Sequence, residues 1–383
     1  MEQILNNIHA IFKFDDGLKI FNDVKKASLY FIDKKLDLTS GNYSNSDISI
    51  LEGDLEKLKV SEYYENPIVI LSFYELGDVI ELGLSTPSDK PLCIILEFEN
   101  VDNFKPEASS STSVKFQETK LIELEEYSKM FNQVMDNLEY GNCYQINLTT
   151  RSHYKFENDI SSVYNKFLGY GQLSQYAHTI HIPFLKRLIL SNSPECLFEV
   201  ETGKRLVSRP IKGTIAKELG REELDKSEKD EVELNIITDL LRNDLSRIGE
   251  NFSKVNSKKS FLEVPGLLHQ YSEIEVELDK NTNMKNILWS LFPGGSITGA
   301  PKKKVIELIK EIEKDDRGVY TGSTTLLFQD KIKSSINIRT ADINTQTNEL
   351  SYGSGGGITL QSNLLGEFKE MALKKSSFLN IFS

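Results

Sequence analysis

The sequence predicts an α/β or α+β fold with mixed β-sheets, and three observations lead to this prediction. Short runs that alternate between apolar and polar residues are typical of half-buried strands. They are interleaved with longer runs whose apolar residues recur every three or four positions, as in amphipathic helices. The chain has 383 residues, 39% of them hydrophobic, which is enough for a sizeable core in one large unit or in two or three domains.

The individual elements follow from these periodicities and from the turn residues between them. The predicted elements are strands at 68–73, 92–98 and 143–151, a loop or linker at 100–119, a helix at 121–140, two strands and a tight turn within 187–212, a helix at 222–248 and a strand at 332–343. The segment at 100–119 is predicted as a loop because it contains a Ser/Thr run and a proline. The histidine pair His178 and His181 falls in a strand-like stretch, which favours a core or surface role over zinc binding.

Composition excludes several function classes. The net charge of −12, without a basic stripe, argues against nucleic-acid binding. The three cysteines Cys93, Cys143 and Cys196 are far apart and form neither a disulfide framework nor a CxxC metal motif. The first residues lack the basic flank, the apolar core and the small-residue cleavage site of a signal peptide. The sequence has no stretch of about 18 apolar residues, the length that a membrane-spanning helix needs. We therefore expect a cytoplasmic protein with no membrane association.

A lysine in the segment RPIKGT, Lys212, is the first candidate for chemistry. If Thr202–Gly203 is the centre of a two-residue hairpin turn, Glu201 lies opposite Lys204, and Glu195 lies opposite Pro210. Glu195 and Lys212 then share a face, one diagonal step apart, so that a carboxylate and an amine converge on one substrate. A one-residue bulge would reverse this facing, and a surface salt bridge across the hairpin explains the pattern equally well.

Acidic residues on two predicted helices form a second candidate. Glu233 lies on or beside the apolar stripe of the helix at 222–248, where a buried charge needs a cation or strong donors. Glu367, Glu370 and Lys374 share one face of a C-terminal helix. Carboxylates from two helices suit Mg²⁺, although a solvated helix face also accounts for Glu367 and Glu370.

Two glycine-rich segments, 292–304 and 352–358, form a third candidate. Neither matches GxxxxGK[ST] or GxGxxG, which disfavours ATP and NAD. Their backbone N–H groups can still bind an anion, Thr298 can add a hydroxyl donor, and Arg339 on a strand's polar face can hold a carboxylate. Ordinary turn chemistry is the alternative. The chain contains no nucleophile elbow around Cys143 and no Cys-His-Glu glutaminase set.

Taken together, these segments resemble the chorismate-utilising enzymes. The resemblance spans about residues 119–383, and residues 1–118 match only loosely. The matching segments are GNCYQINLTTR (141–151), SNSPE (191–195), RPIKGT (209–214), ELNIITDLLRNDLSRIG (233–249), FPGGSITGAPK (292–302), RGVYTGS (317–323), IRTA (338–341) and YGSGGGI (352–358). The resemblance implies an α+β, anthranilate synthase component I-like fold, with two stacked mixed or antiparallel sheets flanked by helices. It also implies that residues 1–118 contribute strands to the unit completed by a catalytic domain at 119–383.

The residue at position 212 discriminates within this family. Anthranilate synthases carry a motif similar to PIAGT, whereas aminodeoxychorismate synthases carry PIKGT, as this chain does. The resemblance therefore implies amination of chorismate to 4-amino-4-deoxychorismate, in p-aminobenzoate and folate biosynthesis, by a component that receives ammonia from a separate glutaminase. An anthranilate synthase component, an isochorismate or salicylate synthase, and a catalytically silent binding subunit are the alternatives.

The resemblance also implies a role for each matching residue. Lys212 attacks ring carbon C2, Glu195 protonates the departing C4 hydroxyl, and His269 lies beside the ring. Mg²⁺ is held by Glu233 and Glu370, with Glu367 nearby. The residues that match substrate-carboxylate positions are Thr214, Thr298, Arg339, Gly356, Gly357 and Lys374.

Three positions depart from the family pattern. Cys196 stands where arginine is frequent, and Leu234 stands where asparagine is common. Thr325–Leu326 replaces a usual Gly-Tyr pair whose tyrosine often touches the substrate. An LLES-type tryptophan-binding motif is also missing, so feedback inhibition by tryptophan is not expected.

Overall fold

Every strand pairing in the computed structural model is antiparallel. The structure describes residues 4–107, 113–201, 204–249, 252–264 and 267–383. Helices flank the resulting curled sheet, so the α+β prediction is confirmed. The α/β alternative does not hold, because no parallel pair occurs among the described strands.

The elements are numbered in chain order. The strands are β1 His9–Phe14, β2 Gly17–Tyr30, β3 Lys34–Asp37, β4 Tyr43–Asn45, β5 Tyr64–Ser72, β6 Cys93–Phe104, β7 Phe116–Lys120, β8 Gln145–Phe156, β9 His178–Ile182, β10 Arg187–Ser191, β11 Cys196–Glu201, β12 Arg205–Arg209, β13 Ile211–Ala216, β14 Lys254–Val264, β15 Leu267–Glu277, β16 Gly299–Ala300, β17 Ser323–Gln329, β18 Lys331–Ile336, β19 Thr340–Asn344 and β20 Glu349–Ile358. The helices are α1 Ile48–Glu56, α2 Leu76–Leu82, α3 Leu124–Glu139, α4 Ile160–Leu168, α5 Arg221–Asp225, α6 Glu228–Leu245, α7 Met284–Leu291, α8 Lys302–Ile312 and α9 Leu364–Leu379. Of these helices, α6 and α9 carry the predicted metal-binding carboxylates.

The strands pair in the order β8–β20–β19–β10–β9–β1–β2–β6–β5–β17–β18–β11–β12–β15, with β7 and β16 against β8, and β13 and β14 against β15. Strands that precede residue 118 lie in the middle of this order, because β1 pairs with β9 and β5 pairs with β17. The division into regions 1–118 and 119–383 stays a prediction. Helix α6 packs against β13, β14 and β15 and also contacts β16, so it joins the two ends of the sheet.

Most predicted elements have observed counterparts, but several differ in extent. The helix predicted at 222–248 is two helices, α5 and α6, and the two strands predicted within 187–212 are parts of four, β10 to β13. The loop predicted at 100–119 is shorter, because β6 continues to Phe104 and β7 begins at Phe116. The strand predicted at 332–343 is two strands, since β18 ends at Ile336 and β19 begins at Thr340. Arg339 lies in the turn between them with a φ of 49° and not on the polar face of a strand, so that placement is wrong. No side-chain pattern marks this turn, because arginine has no preference for positive φ.

Buried apolar side chains form separate clusters on the two faces of the sheet. One cluster contains residues of α3, α6, α7 and α8, including Val134, Ile237 and Leu288. A second contains residues of the N-terminal strands, including Phe21 and Leu96. No helix in the described part of the chain is long and apolar enough to cross a membrane.

Candidate active site

Lys212 lies at a β-bulge in β13. The pairing of β13 with β15 shifts register between Ile211 and Thr214, and Gly213 adopts a φ of +83°. A β-carbon at position 213 would lie 2.9 Å from Leu224 Cδ1. Glycine is therefore required here by both conformation and space. Bulges turn a side chain away from the regular alternation of a strand, which explains why the lysine is followed by glycine.

The Lys212 amine points to two groups on other elements. Its Nζ atom lies 3.4 Å from Glu233 Oε2 on α6, and both side chains are largely buried. The same atom lies 3.4 Å from the backbone carbonyl oxygen of Ser296, which precedes β16. A surface salt bridge, the alternative left open by the sequence, therefore does not describe this lysine.

Glu195 is a buried carboxylic acid beside this amine. Its side chain precedes β11, is 6% exposed, and has one oxygen, Oε1, without a hydrogen-bond partner in the described part of the chain. Burial raises the pKa of Glu195, while Ser296 and the positive charges of Lys212, Lys374 and Arg339 act in the opposite direction. A carboxyl group whose pKa is raised holds its proton to higher pH, as a general acid requires.

The hairpin that was predicted to bring Glu195 and Lys212 together differs in detail. The turn centre Thr202–Gly203 lies outside the described residues, and Glu201 pairs with Arg205 and not with Lys204. A bulge between Cys196 and Glu199 then restores the predicted register, so that Cys196 lies opposite Arg209. Lys212 itself belongs to β13, which pairs with β15. The two side chains still approach each other, but because of two bulges and not because of a regular ladder.

Carboxylates from α6 and α9 lie against the glycine pair of β20. A β-carbon at Gly357 would overlap the Gln145 amide and lie 2.9 Å from Glu233 Oε2. A β-carbon at Gly356 would lie 3.2 Å from Glu367 Oε2 and 3.6 Å from Glu370 Oε1. The missing side chains thus allow acidic groups to approach the strand. Lys374 closes this region, with Nζ 2.8 Å from Glu370 Oε1 and 2.8 Å from the carbonyl oxygen of Gly355.

The carboxylates differ in exposure. Glu233 and Glu367 are both 5% exposed, so the expectation of a solvated face is wrong for Glu367. The Glu370 side chain is about half exposed. Within the described residues, no group of three His, Cys, Asp or Glu side chains is close enough to hold a metal ion. The three glutamates therefore supply suitable oxygen donors around one glycine pair, but they do not form a closed coordination shell.

His269 and Arg339 lie together beside an open cleft of about 830 Å³, which Asn192 and Pro194 also line. Burial and, to a smaller extent, the charge of Arg339 together lower the pKa of His269 to about 4. His269 on β15 is the strand partner of Thr214, whose side chain lies outside the described part of the chain. The imidazole is neutral at physiological pH, so His269 cannot contribute a positive charge to substrate binding.

Thr298 is buried between the turn at 295–297 and β16. Its hydroxyl donates to the carbonyl oxygens of Gly294 at 3.0 Å and Gly295 at 3.3 Å. Its own carbonyl oxygen accepts a hydrogen bond from Asn147 N–H at 2.7 Å. The hydroxyl expected to meet a substrate therefore holds the turn that carries Ser296.

Two residues of this region were missed by sequence reasoning. Ser296 contributes a backbone carbonyl, which side-chain identity does not reveal. Gln145 is fully buried, and neither polar atom of its amide has a hydrogen-bond partner among the described residues. Gln145 opens β8, where polar and apolar residues alternate, so its side-chain type does not distinguish it from a polar position on the solvent face.

The three departures from the family pattern are all buried. Cys196 and Leu234 are 4% and 2% exposed, which suits an uncharged side chain at each position. The Thr325 hydroxyl is 2.8 Å from the Ser334 hydroxyl. Leu326 packs in the second apolar cluster with N-terminal strand residues, away from the cluster that contains Ile237.

Comparison with known proteins shows what this arrangement belongs to. The model of the chorismate binding enzyme family matches residues 81–380. The chain belongs to this family. Aminodeoxychorismate synthase component 1 from Salmonella typhimurium is 34% identical over 267 residues, which are 67% of this chain and 57% of that protein. The Escherichia coli protein of the same name is 33% identical over 255 residues, 64% of this chain and 55% of that protein. The chain thus spans somewhat more than half the length of these relatives.

Solved structures of the family share the fold. The crystal structure of anthranilate synthase component I from Streptococcus pneumoniae has a TM-score of 0.78 at 19% identity, and the match covers 94% of this chain and 91% of that one. At this identity the likeness concerns the fold alone. It agrees with the anthranilate synthase component I-like fold implied by the motifs.

Proposed function

We propose that this protein is component I of an aminodeoxychorismate synthase, which converts chorismate and ammonia to 4-amino-4-deoxychorismate. The observation that carries the proposal is Lys212 itself, whose buried amine lies between Glu233 Oε2 and the Ser296 carbonyl, beside the buried acid Glu195. A lysine amine in such a place can act as a nucleophile once it has lost its proton, and a carboxyl group with a raised pKa can act as its acid partner.

The proposed reaction has two displacements. The Lys212 amine forms a bond to ring carbon C2, both ring double bonds shift toward C4, and the C4 hydroxyl leaves as water with the proton of Glu195. Ammonia then forms a bond to C4, both double bonds shift back, and the lysine amine leaves C2. The proton that the added nitrogen loses returns to the Glu195 carboxylate. Arg339, Lys374 and the N–H groups around Gly356 and Gly357 are the proposed partners of the substrate carboxylates. His269, whose pKa is lowered to about 4, would lie uncharged beside the ring.

The residues fit a magnesium ion by their chemistry. Glu233 and Glu370 would hold Mg²⁺ with Glu367 nearby, and these oxygen donors from two helices surround a strand segment without side chains. When bound, the ion would supply positive charge for the ring carboxylate of chorismate.

The proposal includes a separate glutaminase. The word component in the names of the relatives implies a second subunit in those proteins. The ammonia would come from this partner, because this chain contains no Cys-His-Glu glutaminase set. Free ammonium at alkaline pH should replace the partner in vitro.

Product analysis tests the proposal. The protein is incubated with chorismate, Mg²⁺ and ammonium at alkaline pH, and the products are separated and identified by mass spectrometry. We expect 4-amino-4-deoxychorismate. Anthranilate would instead identify the alternative synthase, isochorismate or salicylate would indicate addition of water, and no turnover would favour a binding subunit.

A further inference from the structure

Arg317 is buried outside the proposed site, yet it is bonded to two segments that build it. The Arg317 and Glu313 side chains are 2% and 5% exposed and form two hydrogen bonds, at 2.8 and 2.6 Å. The guanidinium also donates hydrogen bonds to two backbone carbonyl oxygens, those of Ile297 at 2.7 Å and Asn147 at 2.7 Å. Its plane also lies 4.6 Å from the centre of the Tyr74 ring.

The two carbonyls belong to segments that face each other. Asn147 is in β8, where it pairs with Gly357, and its N–H donates to the carbonyl oxygen of Thr298. Ile297 immediately follows Ser296. The guanidinium therefore connects β8, which pairs with the glycine-rich strand β20, to the turn at 295–297. This turn carries the Ser296 carbonyl that contacts Lys212.

The turn is also held by the Thr298 hydroxyl and by the hydrogen bond from Asn147 N–H to the Thr298 carbonyl, and Arg317 adds a charged donor to these restraints. Ser296 contacts the Lys212 amine through its carbonyl at 3.4 Å and acts on the pKa of Glu195. The Arg317 bonds at 2.7 Å are shorter and charge-assisted, and such bonds are about twice as strong as neutral ones. A shift of Ile297 would move the Ser296 carbonyl with it, because the two share a peptide unit.

We infer that Arg317 is a positioning residue, which sets the place of Ser296 and thereby the approach of Lys212 and Glu195 to the substrate. The inference rests on the proposed function only for the identity of the reaction. Glu313 contributes to this positioning, because it orients the guanidinium and also accepts a hydrogen bond from Thr149 N–H at 2.8 Å. A planar group with several fixed donors is needed, and lysine has a single ammonium centre instead.

The test uses Arg317→Lys and a charge-free double variant, Arg317→Met with Glu313→Gln. The double variant avoids leaving an unpaired buried charge, and glutamine can still accept from Thr149. Arg187 provides the matched control. It forms a similar two-bond pair with Asp342, at 2.8 and 2.7 Å, with side chains that are 25% and 18% exposed, and its guanidinium lies 5.1 Å from the Phe73 ring centre. The controls are Arg187→Lys and Arg187→Met with Asp342→Asn.

Steady-state kinetics with chorismate is the first measurement, followed as chorismate loss. We expect both Arg317 variants to lower kcat roughly 10- to 100-fold with less than about a threefold change in KM, because misplacement of reacting groups by about 1 Å has effects of this size. The pH profile of kcat should also shift. The Arg187 controls should keep kcat within about twofold and an unchanged profile. Equal losses in both pairs would overturn the inference.

Hydrogen exchange is the second measurement, and it requires no turnover. Amide exchange in peptides covering 145–149 and 294–299 should be faster in the Arg317 variants and unchanged in the Arg187 controls. Unchanged exchange in the Arg317 variants would overturn the inference for a protein of any activity. If the wild type consumes chorismate but makes another product, the proposed function fails, while the kinetic comparison still decides the role of Arg317.

Discussion

Two buried groups of charges lie on either side of the turn at 295–297, and they differ in how completely they are satisfied. The Arg317–Glu313 pair makes contacts of 2.6 to 2.8 Å to each other and to backbone carbonyls. On the other side, the Lys212 amine has contacts of 3.4 Å, and Glu195 Oε1 has no hydrogen-bond partner in the described part of the chain.

This difference separates a structural role from a functional one. A buried polar group without a partner costs about 1–3 kcal/mol, so a protein retains it only where something else provides the missing bond. The fully hydrogen-bonded pair of Arg317 and Glu313 therefore suits a structural role. The incompletely bonded group at Lys212 and Glu195 suits the place where a substrate binds. The following predictions test this distinction, beginning with the largest expected effect.

Lys212→Ala should abolish the proposed amination, with a loss of at least about a thousandfold in kcat, because removal of a nucleophile removes the covalent route. Circular dichroism should show an unchanged fold. The exposed Lys204→Ala on the neighbouring hairpin is the control and should be active. Near-normal product formation by Lys212→Ala would contradict the covalent role.

Glu195→Gln should lower kcat about a hundredfold, the usual contribution of a positioned acid. Burial raises the pKa of Glu195, so its charged form destabilises the fold as pH rises through that pKa. The amide cannot ionise. Urea denaturation should therefore show the variant to be as stable as wild type in acid and more stable at pH 8. A less stable but fully active variant would place Glu195 among the structural charges.

Gly357→Ala should lower kcat about tenfold, because the new methyl group overlaps Gln145 and displaces the Glu233 carboxylate. Overpacking of this kind also costs about 1–3 kcal/mol of unfolding free energy. Gly53→Ala in α1 is the control, since nothing lies within 4 Å of its β-carbon. Equal activity of the two variants would show that the glycine strand does not restrict the site.

The histidines of the paired strands β1 and β9 should affect acid stability without affecting turnover. Burial lowers the pKa values of His9, His178 and His181 to about 4. Their contribution to stability is present above the unfolded pKa near 6.5 and is lost as pH falls toward 4, by at most about 3 kcal/mol for each.

His178→Asn tests this expectation, because its amide can replace Nδ1, which lies 3.0 Å from the Tyr176 carbonyl. The unfolding free energy of this variant should decrease less between pH 7 and pH 4 than that of wild type. The same decrease in both proteins would exclude His178 from the acid response, and altered chorismate turnover would link this region to the site.

Periodicity was sufficient to predict the principal helices and many of the strands. It located α3 within a few residues, but the single helix predicted at 222–248 is divided into α5 and α6. The turn at Arg339 and the bulge at Gly213 were not predicted, because both arise from backbone pairing between distant segments.

Several residues predicted for the site lie near one another in the structure, although the predicted hairpin register does not account for this, and their roles stay predictions. A regular hairpin predicts that Glu195 lies near Lys212. In the structure, register shifts at Cys196–Glu199 and Ile211–Thr214 bring the two side chains together instead. The remaining site residues were predicted from the family motifs. Ser296 contacts Lys212 through its own backbone carbonyl, and Arg317 donates to the backbone carbonyls of two other residues. A pattern of side-chain types contains no information about such contacts.

The bulge at Lys212 and Gly213 has a consequence for how this fold can change its chemistry. Because the kink is held by glycine and by pairing with β15, the side chain before it can be exchanged while the surrounding ladder stays in place. Under the proposed function, exchange of this one side chain would change the chemistry available at the site while the surrounding strands keep their pairing.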